Sequence, residues 1–146
     1  MTLRNGDELL EEHLSRSAIG AFYATYRKLG FGFLESIYVL GLERELTSRG
    51  HRVGREVAVP VYYDGDILAY QRMDLVVDDR LVLEVKATEI LHKDAPRQFL
   101  NYLRSTNLEV GLVLHFGREP KFHRVIYDKD FKQRRVRQVR PDSSGS

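Results

Sequence analysis

Gln71-Arg72-Met73-Asp74-Leu75-Val76-Val77-Asp78-Asp79-Arg80-Leu81-Val82-Leu83-Glu84-Val85-Lys86-Ala87-Thr88 is the stretch that decides the fold. Two β-rich runs, Met73 to Val77 and Leu81 to Ala87, flank a polar Asp78-Asp79-Arg80 turn, which is the pattern of a β-hairpin. A turn centred on Asp79 sets Val77 against Leu81 and Asp74 against Glu84. Period-two alternation then puts Met73, Leu75, Val77, Leu81, Leu83 and Val85 on one face, and Arg72, Asp74, Glu84 and Lys86 on the other. The first face is expected to be core and the second chemistry or solvent.

Directly opposed residues on a hairpin have Cβ atoms roughly 4.5–5.5 Å apart, and like charges there are destabilising. Asp74 against Glu84 therefore asks for compensation. A divalent cation bridging the two carboxylates supplies it, with Lys86, two residues along the same face, as a fixed positive charge. The alternative is a plain wet face on which Arg72 and Lys86 neutralise the acids, as on many half-solvated antiparallel sheets.

Working outward, a helix is expected from about Asp7 to Leu29, ended by Gly30, and a second from Leu34 to Arg49, ended by Gly50. On the second, Glu35 and Tyr38 are one turn apart and share a face. Val57 to Tyr63 reads as a strand, an Asp64-Gly65 turn follows, and Asp66 to Tyr70 leads on towards the first arm of the hairpin. Pro60 places the Val57 strand at an edge or a bend. Asp94-Ala95-Pro96 looks like a helix start, with the helix running to about Ser105 and presenting Gln98 and Tyr102 side by side. Strands Val110 to Phe116 and Phe122 to Tyr127 complete an α-α-β-β-β-α-β-β order, a mixed α/β arrangement.

The chain has 146 residues, 42% of them hydrophobic, and no cysteine. That length suits one domain, expected over residues 1–140, with residues 141–146 as a disordered tail. Without cysteine there are no disulfides or thiolate metal sites, and with no long apolar run a cytoplasmic location is the default expectation. Net charge is +2, yet Arg118 to Arg140 holds nine Lys/Arg against three Asp/Glu. That end could face a polyanion or simply be a solvated extension. His13, His51, His92, His115 and His123 are scattered, without the close pair spacing of a zinc site. No G-x-S-x-G, G-x-x-x-x-G-K or G-x-G-x-x-G sequence occurs, which removes the common serine-hydrolase elbow and the usual nucleotide loops.

Phosphodiester hydrolysis needs a hard cation to hold phosphate oxygens and acidify a water, and a positive group to offset transition-state charge. Asp74, Glu84 and Lys86 meet that need. Glu35 could add a ligand or orient a water, and Gln98 and Tyr102 could position the nucleophile or a phosphate. Each also has an ordinary role: Glu35 as a first-turn acid favoured by the helix dipole, Tyr102 as a core aromatic, Gln98 as a polar helix residue.

These residues resemble the PD-(D/E)xK nuclease superfamily and, within it, the small GxxExxY family. Gly32-Phe33-Leu34-Glu35-Ser36-Ile37-Tyr38 reads as G-x-x-E-x-x-Y. Arg72 to Val77 and Leu83-Glu84-Val85-Lys86 look like the superfamily's D and E-x-K, and Gln98 to Tyr102 looks like the Q-x-x-x-Y of its RecB-like branch. The likeness covers about Ile19 to Tyr127. It implies a three-layer restriction-endonuclease-like core, a mixed sheet flanked by helices, with Asp74, Glu84 and the Val85 carbonyl binding Mg²⁺ or Mn²⁺. It also implies that Lys86 positions or activates the water, that Glu35 completes the acidic cluster, and that Gln98 and Tyr102 shape the site. The substrate implied is nucleic acid, DNA first, and the product a strand with a 5′-phosphate. Where the family pattern has a histidine late in the first helix and another before the glutamine, this chain has Tyr26 and Ala95.

Two rival readings stay open on the sequence. One is a non-catalytic nucleic-acid-binding module that uses Arg118 to Arg140; the other is a protein-interaction subunit whose strand edge pairs with a partner or with a second copy as a homodimer.

Overall fold

The computed structural model describes residues 5–104 and 106–127, and side chains from residue 11 onward. The basic run beyond Tyr127 and the expected tail at 141–146 lie outside the described residues. The elements are α1 (Asn5–Leu29), α2 (Glu35–Ser48), β1 (Val53–Tyr63), β2 (Asp66–Val77), β3 (Leu81–Lys86), α3 (Ala95–Arg104), β4 (Val110–Phe116) and β5 (Pro120–Ile126). The expected order is the observed one, with Asp66 to Val77 forming one strand.

The five strands lie in sequence order, β1-β2-β3-β4-β5, antiparallel except for β3 and β4, which run parallel with α3 as their crossover. A parallel pair buried on both faces needs near-continuous apolar strands. Leu81, Val82, Leu83 and Val85 of β3 are buried, as is every residue of β4. β1 is an edge strand, so Pro60, which has no N–H to donate, costs the sheet no ladder bond on that side.

Helices cover both faces. On one, Leu14, Ala18, Ala21 and Phe22 of α1 and Tyr38, Leu42 and Leu46 of α2 pack on Leu75, Val77, Leu81, Leu83, Val85, Leu112 and Leu114. On the other, Phe99 and Leu103 of α3 pack on Met73, Val76, Val82, Val113 and Val125. Gly111 permits that contact: a Cβ there would stand 2.4 Å from the Phe99 ring.

Two expectations are corrected. The second face of the hairpin is not simply chemistry or solvent, because α3 buries Val76 and Val82 and leaves only its far end open. Met73 belongs to that α3 face and not with Leu75 and Val77. The cause is a local break in the pleat. Glu56 has φ of 56°, and the β1–β2 ladder skips from Arg55↔Leu75 to Val57↔Met73. The facing side chains exchange sides there: Val53 packs with the first cluster, Val57 and Val59 with the second.

Candidate active site

The hairpin register is the expected one, Val77↔Leu81, Val76↔Val82 and Leu75↔Leu83, but the ladder stops there. At the next position the Asp74 carboxylate accepts the Val85 N–H at 2.8 Å. The strands therefore part at the residue pair expected to carry the chemistry. The N–H bond fixes the Asp74 side chain beside β3 and leaves its second oxygen outside that bond. Lys86 Nζ stands 3.6 Å from Glu84 Oε2 on the shared face.

Both acids are raised from their ordinary values. Burial pushes Glu84 up to about 7, with the Asp74 charge adding to the rise and Lys86 only partly opposing it. Burial likewise raises Asp74; the Val85 N–H and Lys86 pull the other way, while Glu35 and Glu56 push with it. This is the signature of carboxylates short of positive charge.

Glu35 is brought to them by the geometry of its motif. Gly32 has φ of 111°, a conformation that suits glycine, and turns the chain into α2. Glu35 opens the helix, and its Oε2 accepts the Ala87 N–H at 3.2 Å, just beyond β3. Tyr38, one turn on, is fully buried and stacks on Phe116 with ring centroids 4.1 Å apart. Its hydroxyl donates to Gly30 O at 2.5 Å and accepts from Phe33 N at 3.2 Å, bracing the loop that aims Glu35. Glu35 and Tyr38 thus share a turn of helix but not an environment, one exposed and one core.

A cavity of about 280 Å³ opens between Glu35, Ser36, Arg55, Glu56 and Asp74. Glu56 and Arg55 escape the sequence reading. Extending the Asp64-Gly65 hairpin without interruption sets Arg55 against Asp74. The register instead steps by one at Val61/Tyr62 and brings Glu56 opposite. Gln98 and Tyr102 lie on α3, which covers the Val82 face of the sheet. Gln98 is exposed, Tyr102 half-buried against the Phe99 cluster, and among the described residues neither is hydrogen-bonded through its side chain to Asp74, Glu84 or Lys86.

The donor set fits a hard divalent cation: two under-compensated carboxylates from adjacent strands, the Val85 carbonyl between Glu84 and Lys86, and no thiolate. Among the described residues no three His, Asp or Glu side chains are arranged to hold a metal ion as they stand. Glu35 acts on Asp74 and Glu84 through its charge.

The family model for the PD-(D/E)XK nuclease superfamily matches residues 12–125. The chain belongs to the PD-(D/E)XK nuclease superfamily. Asp74, Glu84 and Lys86 lie within that match, on a mixed sheet flanked by helices as in restriction-endonuclease-like folds. Among solved structures, "Crystal structure of SSO0001" aligns with TM-score 0.50 and 20% identity over 88% of this chain and 66% of that one. An alkaline exonuclease (LHK-Exo) from Laribacter hongkongensis aligns with TM-score 0.45 and 11% identity over 66% of this chain and 58% of that one. The chain thus spans about two thirds or less of these two chains. No curated protein matches. No helix among the described residues is long and apolar enough to cross a membrane.

A second constellation lies at the turn end of the hairpin. Ser17 Oγ is 2.7 Å from His51 Nε2, and His51 Nδ1 is 2.7 Å from Asp78 Oδ2, whose other oxygen accepts the Arg52 N–H at 2.8 Å. The order Ser-His-Asp matches a hydrolase triad, but Ser17 sits inside α1, where backbone amides are spent on the helix and none is free to receive an oxyanion. The set is a strut joining α1, the α2–β1 connection and the hairpin turn.

Proposed function

We propose that this superfamily member is a divalent-metal-dependent nuclease of the GxxExxY kind, cutting phosphodiester bonds of DNA in the cytoplasm. The observation that carries the reading is the pair Asp74 and Glu84, half-buried on adjacent strands, both raised in pKa and offset only in part by Lys86 and the Val85 N–H. Asp74, Glu84 and the Val85 carbonyl would hold Mg²⁺ or Mn²⁺, which when bound would supply the charge that polarises a phosphate oxygen and acidifies a water. Lys86 offsets the charge that grows on the phosphate oxygens. Glu35, anchored on the Ala87 N–H, orients the attacking water and keeps the site acidic. Gln98 and Tyr102, at the edge of α3, shape the wall that the strand passes. A cysteine-free chain suits a reducing compartment.

The test is cleavage of labelled single- and double-stranded DNA and of RNA with Mg²⁺ and with Mn²⁺. Asp74→Ala and Glu84→Ala are expected to lower the rate at least about 100-fold, roughly 2.7 kcal/mol of barrier. Unchanged rates in both variants would sink the proposal.

A further inference from the structure

Lys86 continues into a row of lysine and histidine side chains that leads away from the carboxylates. It stands in register with His115 on β4, and His115 with Lys121 on β5. Residues in register share a face. This row lies on the face that α3 covers further along, since Val82 and Val113 are packed there. With strands about 4.8 Å apart, Lys121 lies about 10 Å from Lys86 across the sheet, measured at the backbone.

Beside the row is a second cavity, about 430 Å³, lined by Glu89, His92, Lys93, His115, Lys121 and His123 among others. Three of the histidines that are scattered in sequence meet here. The acids nearby are already engaged: Glu89 pairs with Arg118 at 2.8 Å, and Asp94 lies 3.8 Å from His92. Lys93 and Lys121 are exposed, and among the described residues neither is in an ion pair. His115 is only 5% exposed. Its Nε2 is committed to the Thr88 carbonyl at 2.7 Å, while Nδ1 is buried with no hydrogen-bond partner among the described residues. The His115 ring forms part of the cavity wall behind the two lysines.

We propose that this cavity is a phosphate subsite: Lys93 and Lys121, with His92 and His123 at the rim and the His115 ring in the wall behind them, hold the phosphate next to the one at Asp74 and Glu84. The inference rests on the nuclease reading for the identity of the strand, but its chemistry stands on the cavity alone. It gives the strand a direction, from β3 across β4 to β5.

The experiment is binding of a fluorescein-labelled single-stranded DNA oligonucleotide, in chelator so that nothing is cut, across a series of salt concentrations. Removing the lysine pair that neutralises this phosphate in Lys93→Ala/Lys121→Ala is expected to reduce the slope of log K against log salt by about 0.7 and to weaken binding at least about tenfold at low salt. Both side chains are exposed, so the fold is not at risk. Lys28→Ala/Arg44→Ala, charges on the α1–α2 groove, should change neither quantity. The His115 ring nitrogen signals should shift on adding the oligonucleotide. An unchanged slope in the Lys93/Lys121 variant, an equal loss in the Lys28/Arg44 variant, or a silent His115 ring overturns the subsite. If the wild type cuts DNA yet its binding ignores the two lysines, the subsite fails and the nuclease reading stands; if it binds through them and cuts nothing, the reverse holds.

Discussion

Glu84 keeps its proton in the folded protein up to about pH 7, against an ordinary value of 4.5, because burial and Asp74 disfavour its charge. Between those values the folded state binds more protons than the unfolded one, so stability falls as pH rises from 4.5 to about 7. At about 1.4 kcal/mol per pH unit the loss is on the order of 3 kcal/mol. Glu84→Gln should abolish that fall and make the protein more stable at pH 8 while removing cleavage, as denaturant titrations at pH 5 and pH 8 would show. Asp78 has the opposite sign. Burial alone would raise its pKa, but the Arg52 N–H and His51 outweigh it and hold it low, so its contribution is present above the ordinary value of 3.8 and lost as the pH falls further. Asp78→Ala, which removes the strut, should cost about 1–3 kcal/mol near neutrality in the same titrations. The acid pair was legible because alternation and a polar turn fix register. Glu56 was not, since it meets Asp74 only after a one-residue step in the β1–β2 ladder that no local signal announces.

At the scale of elements, the G-x-x-E-x-x-Y spacing acquires a physical reason. The glycine turns the chain, the tyrosine one helical turn after the glutamate clamps that turn from the core, and the glutamate is aimed at the end of β3. Tyr38→Phe keeps the ring stacked on Phe116 but releases Gly30 and Phe33; it should lower stability by about 1–3 kcal/mol and cleavage by more than that loss of folded protein explains, measured at a temperature where the variant is fully folded. Gly111→Ala would drive a methyl into the Phe99 ring and should cost about 1–3 kcal/mol by overpacking, read as a lower unfolding midpoint. Helix and strand limits were largely readable, since Gly30 and Gly50 stop α1 and α2 and the apolar run Val110 to Phe116 is β4. The side taken by Met73 was not. Strict alternation assumes an unbroken pleat, and the left-handed backbone at Glu56 breaks it.

For the whole molecule, the sheet gathers onto one end what the chain keeps apart: Glu35 from α2, Asp74 from β2, Glu84 and Lys86 from β3, and the His115–Lys121 row beyond. The helices on both faces exclude water from the strands beneath while leaving that end open. Order along the chain made the three-layer architecture legible through its family likeness. The histidine-lined cavity stayed hidden because its residues come from the loop before α3, from β4 and from β5, and meet only through tertiary packing. The central claim is that Asp74 and Glu84 form a cation seat, and crystals soaked in Mn²⁺ test it directly. The account predicts a single anomalous peak between the Asp74 and Glu84 carboxylates, within reach of the Val85 carbonyl and with Glu35 nearby; no peak there, with both acids turned to Lys86 or to solvent, would contradict it.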